Sequence, residues 1–138
     1  MAITKVAGRQ YPLYATVDVA LADLTSGSAV AAIDIPPGAD IVGGIYNVKT
    51  AFDSGTSDAV VIQTNESTPT VLLTDADAQA TVTSALVIPA GGLRVGSSPS
   101  PFTIDVKWTG AGTAATTGAI RLKVEYLVDD RANEVQPV

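Results

Sequence analysis

The side chains with a claim to chemistry in this chain are a few carboxylates, and Asp75 and Asp77 come first. Their alternate spacing matches the opening of an oxygen-ligand calcium loop, where carboxylates two residues apart converge on one cation. The glycine and the distal bidentate glutamate that such a loop requires are missing. The pair therefore reads as a solvated turn, or as the N-terminal cap of a short helical segment over 75–80. Asp129-Asp130, followed by Arg131, has the composition of a carboxylate pair for acid–base work. At a strand end it reads instead as a charged edge that discourages unwanted sheet pairing. Asn65-Glu66-Ser67 fits the glycosylation acceptor pattern, but no secretion signal accompanies it, and a hairpin loop is the simpler reading.

The glycine pairs Gly43-Gly44 and Gly91-Gly92 and the segment Gly110-Ala111-Gly112 raise the question of phosphate cradles. None carries the lysine and hydroxyl of a P-loop or a strand-to-helix context, so they read as turns and bulges. Trp108 is the single tryptophan and falls on the apolar face of its strand, which assigns it to the core rather than to ligand stacking.

What is missing narrows the chemistry further. The chain has no cysteine and no histidine, which removes disulfides, thiolate metal sites, the thiol nucleophile, the commonest general base and the commonest metal ligand. No cofactor, metal or catalytic residue is expected, and the chain is read as a non-enzyme. The formal net charge of −6, with eight scattered basic residues, argues against nucleic acid, whose phosphates call for clustered Lys and Arg. No apolar run approaches the roughly 20 residues of a membrane-spanning helix, and the first twelve residues do not resemble a signal peptide. The chain reads as soluble and not exported by a cleavable signal.

The elements that carry these residues are strands. Over 120–128, Ile120, Leu122, Val124, Tyr126 and Val128 alternate with Arg121, Lys123 and Glu125, the period-two pattern of a strand with one dry face. Leu127 breaks the alternation on the polar face. Over 102–108, Phe102, Ile104, Val106 and Trp108 alternate with Thr103, Asp105 and Lys107. These two strands are expected to pair, antiparallel, through the loop 109–117, with Ile104, Val106, Leu122 and Val124 buried. Over 14–21, Ala15, Val17, Val19 and Leu21 form a core face. A further strand over 29–35 must stop at Pro36-Pro37-Gly38, because proline has no amide donor. Another over 40–50 holds Gly43-Gly44, which suggests a bulge or a close backbone approach. Residues 52–58 read as a polar turn, and 59–64 and 70–74 as a hairpin around 65–69. At 138 residues this amounts to an arm at 1–13 and one domain at 14–138. The class is all-β: a β-sandwich or jelly-roll-like domain of about eight short antiparallel strands.

The order of Ala32-Ile33-Asp34-Ile35-Pro36-Pro37-Gly38-Ala39, Ile41-Val42-Gly43-Gly44-Ile45, Thr50-Ala51-Phe52-Asp53-Ser54-Gly55-Thr56, Val106-Lys107-Trp108-Thr109-Gly110 and Val124-Glu125-Tyr126-Leu127-Val128-Asp129 resembles small structural proteins of tailed bacteriophages encoded near the major capsid protein. Several of these look like capsid decoration, or cement, proteins. The similarity spans 14–134. It implies a virion protein, made in the host cytoplasm, that binds and stabilises the outside of an assembled head. The partner would be the major capsid protein, commonly met by a homotrimer at three-fold and local three-fold positions. On that reading Leu127 is a subunit contact. The arm residues Ile3, Lys5, Val6, Arg9 and Tyr11 dock on the capsid by adding a strand to an exposed sheet edge. A tail or head–tail connector protein would share the composition. A carbohydrate-binding sandwich would need more than the seven aromatics present.

Overall fold

In the computed structural model, which describes residues 11–128, nine strands and a single 3₁₀ turn at Leu21–Asp23 account for the regular structure. The strands are β1 (Leu13–Ala20), β2 (Ala29–Ile35), β3 (Ala39–Thr50), β4 (Ser57–Thr64), β5 (Val71–Asp77), β6 (Thr83–Ala85), β7 (Leu93–Arg94), β8 (Phe102–Ala111) and β9 (Ala119–Val128).

The pairings are nested. β1 pairs with β9, β2 with β8, β3 with β6 and β7, and β4 with β5, all antiparallel. Such a series is one long hairpin. Rolling it up brings β3 against β9 and β4 against β8 and yields two sheets, β1-β9-β3-β6 with β7 also on β3, and β2-β8-β4-β5. This is the strand order of a jelly roll, a sandwich in which Greek-key crossings leave few long edges.

The alternating residues meet between the sheets. Ile104, Val106, Leu122 and Val124 are all 0% exposed, as their alternation predicts, and Val19, Ile41, Tyr46, Val60 and Ile62 join them in one cluster. Each fully buried aliphatic side chain contributes about 1.5–3 kcal/mol relative to an exposed one.

Three expectations are corrected. β8 and β9 do not pair: they lie at the interior of opposite sheets, and the loop between them crosses the sandwich. Periodicity fixes which face of a strand is dry, and both strands do face the same core, but it carries no information on which neighbour supplies the hydrogen bonds. Residues 75–77 are not helical. They continue β5, with Ala59 opposite Asp77 and Val60 opposite Ala76, so ladder pairing overrides a local alanine preference worth tenths of a kcal/mol. Finally, Thr103 and Asp105, on the outward face of β8, are buried, because β8 is flanked on both sides and Thr103 Oγ1 donates to Asp105 Oδ1.

The glycine reading holds. The β3–β9 register shifts between Ile41 and Gly43, a bulge, and a Cβ on Gly44 would stand 2.7 Å from the carbonyl oxygen of Lys123, a close backbone approach.

Candidate functional site

The sequence-predicted candidates disperse over the molecule. Asp77 Oδ1 accepts from the amide of Gln79 at 2.9 Å, a local turn bond, and no cluster of three or more metal-ligating side chains exists among the described residues. Asn65 is a structural clamp: its Nδ2 donates to the Pro101 carbonyl at 2.9 Å and its Oδ1 accepts from the Thr103 amide at 3.0 Å. Gly91 and Gly92 adopt φ of +91° and +86°, turn geometry that glycine tolerates without strain. Leu127 is half-buried opposite Asp40. Tyr11 is exposed, whereas Ile3, Lys5, Val6, Arg9 and the Asp129-Asp130 pair lie outside the described residues.

The polar centre of the molecule lies where residues 52–58 read as a simple polar turn. Asp58 is 2% exposed. Its Oδ1 accepts from Ser54 Oγ at 2.7 Å and from Trp108 Nε1 at 2.8 Å, and its Oδ2 from the Ser54 amide at 2.9 Å and from Gln79 Nε2 at 3.2 Å. A buried carboxylate is tolerated when its lone pairs are used in this way. The cluster ties the 51–56 loop, the chain after β5 and β8 together, and it is closed by the stacking of Phe52 on Trp108, ring centroids 5.5 Å apart. The available signal was parity: Asp58 shares the inward face of β4 with Val60, Ile62 and Thr64. Asp58 itself is out of reach of solvent. Every donor around Asp58 is committed to holding loops.

Beside it, Asp53 latches the β8–β9 loop to the β3–β4 loop by accepting from the Thr116 hydroxyl and from the Thr116 and Thr117 amides. Those bonds, the Thr116 hydroxyl foremost, hold its carboxyl at about 2, well below the ordinary 3.8.

Surfaces remain, among them the outward face of the five-stranded sheet. Its rows follow the register: Asp18–Arg121–Asn47–Thr83, then Thr16–Lys123–Ile45–Ala85, then Tyr14–Glu125–Gly43. Arg121 grips Asp18 through Nε at 2.7 Å and Nη2 at 3.0 Å, with Lys49 Nζ at 3.5 Å. The Arg121 hydrogen bond first, then the charges of Arg121 and Lys49, lower the Asp18 carboxyl to about 2. Apolar side chains stand among these ions: Tyr14, Val42 and Ile45 are exposed, and Lys123 Nζ lies 5.7 Å from the Tyr14 ring centroid. A face of this kind suits protein contact, with apolar area for affinity and fixed charges for register. It does not suit sugar stacking, since Tyr46, Phe52, Phe102 and Trp108 are buried and the Tyr14 ring already carries a lysine.

No protein-family model matches the chain, and no curated protein is detectably similar to it in sequence. Solved structures do share its fold. A chain of the cyanophage Pam1 capsid asymmetric unit superposes with a TM-score of 0.64 at 13% identity, covering 93% of this chain and 91% of the other. A chain from the capsid of Ralstonia phage GP4 does so with 0.60 at 16% identity, covering 94% and 91%. A chain from Bacillus endospore appendages, described as disulfide-linked pili, follows with 0.52 at 15% identity, covering 94% and 99%. At these identities the likeness is one of fold.

Proposed function

We propose that this chain is a virion structural protein that binds and stabilises the outer surface of a bacteriophage head, a decoration or cement protein. The observation that carries the reading is a jelly roll shared over more than nine-tenths of its length with chains from two phage capsids. The sequence resemblance to proteins encoded beside major capsid proteins points the same way. A head-surface protein requires no reactive group, and here the ordered carboxylates Asp53, Asp58 and Asp18 are spent on loops and on a surface ion network. The fold also serves a filament, but disulfide linkage of the kind attributed to the Bacillus appendages is closed to a chain without cysteine. The partner is the major capsid protein, met by a homotrimer.

The test is reconstitution. Heads assembled without this chain are mixed with the purified protein and imaged by cryo-EM. Added density on the exterior of the capsid shell, at three-fold and local three-fold positions, is the expected result. Density confined to the neck or tail would replace the reading with that of a connector or tail protein, and absence of binding to any part of the particle would overturn it.

A further inference from the structure

Two ion clusters on the outward face of the five-stranded sheet are closed. Arg121 and Lys49 share Asp18, and Arg94 Nη1 reaches Asp40 Oδ2 at 3.1 Å. The register places Lys123 and Glu125 between them on β9, and these two charges are open. Lys123 is exposed and leans over the Tyr14 ring. Among the described residues no hydrogen bond or ion pair engages the side chain of Lys123 or of Glu125.

Exposed apolar side chains flank this pair on both sides. Tyr14 on β1 is 59% exposed and Ile45 on β3 46%, with Val42 at 45% in the bulge beside Gly43. Each of the first two has a small residue two positions away on the same face. Tyr14 stands in the row of Glu125 and Thr16 in that of Lys123, while Ile45 stands in the row of Lys123 and Gly43 in that of Glu125. Large and small therefore alternate across the two rows, as the charges do.

We propose that this face binds a second copy of itself, face to face, across a two-fold axis lying in the interface at right angles to β9, so that Lys123 of each copy meets Glu125 of the other. The charges select both the occupant and the axis. Opposite signs two residues apart, about 7 Å along the strand, become reciprocal pairs under that rotation, which is the self-complementarity an isologous contact requires. A two-fold axis along β9 would instead set Lys123 against Lys123 and Glu125 against Glu125, which like-charge repulsion opposes. A foreign surface would need an acid and a base at the same spacing in reverse order, and a second copy carries them by construction.

Shape agrees with charge. The same rotation lays Tyr14 on Thr16 and Ile45 on Gly43, a large side chain over a small one in each case. Sheets packed face to face stand about 10 Å apart, a gap that a lysine and a glutamate bridge between them. In the free chain Glu125 Oε2 lies over Gly43, 3.4 Å from where a Cβ would stand, and its turn toward Lys123 of the second copy uncovers that room. The inference goes beyond the head-surface reading and does not rest on it: a two-fold contact links trimers as readily as single chains, and reconstitution on heads tests that reading by itself.

The test is a charge swap, read by sedimentation equilibrium of the full chain at low salt up to high concentration, with circular dichroism to verify that each variant is folded. Lys123→Glu and Glu125→Lys each convert the pair into two like charges, and each is expected to weaken self-association by about tenfold or more. Mixed one to one, the two variants present opposite charges to each other, and the association of the parent is expected to return. The double variant Lys123→Glu/Glu125→Lys, which restores the reciprocal pairs in reverse, is expected to match the parent as well. Lys107→Glu, a reversal of the same size on the outward face of the other sheet, controls for net charge and is expected to leave association unchanged. A parent that stays monomeric overturns the proposal. So do single variants that associate as tightly as the parent, a mixture that fails to recover association, and a Lys107→Glu variant weakened as much as Lys123→Glu.

Discussion

The indole nitrogen of Trp108 donates to Asp58 Oδ1 at 2.8 Å inside the sandwich, joining residues fifty positions apart on the paired strands β8 and β4. Asp58 accepts three further bonds, from the Ser54 hydroxyl and amide and from Gln79. Asp58→Ala leaves the donors of Trp108 and Ser54 without an acceptor, at about 1–3 kcal/mol for each group that water cannot reach, while the exposed Gln79 keeps its bond to the Ser54 carbonyl. A loss of about 3 kcal/mol or more is expected. Asp58→Asn keeps an acceptor for Trp108 but turns an amide NH₂ toward the donors of Ser54 and Gln79, so a smaller loss, about 1–3 kcal/mol, is expected. Denaturant unfolding followed by the fluorescence of the single tryptophan measures both, and equal stability of Asp58→Ala and the parent would refute the role given to the cluster.

Acid should loosen two places together. Asp18 and Asp53 both have carboxyls held at about 2 in the folded chain against an ordinary 3.8. As pH falls, the unfolded chain therefore takes up protons first. The stabilisation from both groups is complete above 3.8 and is lost progressively as pH falls through about 2. Asp53→Asn and Asp18→Asn should each be less stable than the parent near neutrality, and the difference should shrink across that acid window. Both side chains face solvent, so high salt should narrow the Asp18 difference, while Asp53, held by hydroxyl and amide donors, should be less affected. Urea midpoints against pH at low and high salt would show it; a gap that persists at the acid end would contradict the assignment.

Tyr46 is 0% exposed and its hydroxyl is buried with no hydrogen-bond partner among the described residues. Burial, aided by the Asp77 charge, pushes the phenol well above its ordinary 10.0. A raised phenol pKa means that the unfolded chain loses the proton first as pH rises, so Tyr46 reduces stability above pH 10.0. Tyr46→Phe removes the unpaired hydroxyl at nearly constant shape. It should be neutral or stabilising by up to about 1 kcal/mol near neutrality, with a larger advantage in base. Ultraviolet titration of the parent should show Tyr46 ionising only with unfolding. A destabilised Tyr46→Phe would mean that the hydroxyl has a partner.

Much of this architecture could be read from alternation alone, and the misses share a cause. Ile120, Leu122 and Val124 announce a dry face, as do Phe102, Ile104 and Val106, because a sheet face needs apolar groups at period two whatever its neighbour is. The partner of each strand is set by how the whole nested hairpin rolls up, and that depends on loops such as 112–118, whose polar residues carry no pairing signal. The Asp58 cluster was hidden for a related reason. A carboxylate among Ser54, Thr56 and Ser57 reads as a turn, and its burial follows from donors supplied by Trp108 and Gln79, distant in sequence.

Adjacent glycines in β3 offer a sharp contrast. A Cβ at Gly44 would lie 2.5 Å from Leu86 Cδ1 and 2.7 Å from the Lys123 carbonyl oxygen. The leucine can turn, but the carbonyl belongs to the β9 backbone and cannot retreat without opening the β3–β9 ladder. A Cβ at Gly43 would meet Glu125 Oε2 at 3.4 Å, the mobile end of a half-exposed side chain. Gly44→Ala is therefore expected to cost about 1–3 kcal/mol, the usual penalty for forcing a methyl into a packed site. Gly43→Ala should stay within about 0.5 kcal/mol of the parent, as surface substitutions do. Denaturant midpoints of the two variants decide the matter, and hydrogen exchange adds a local readout: in Gly44→Ala, amides of β3 and β9 around Gly44 and Lys123 should lose protection before those of β4 and β8. Equal midpoints for the two variants would show that the β3–β9 backbones are not held as closely as the Gly44 contacts require.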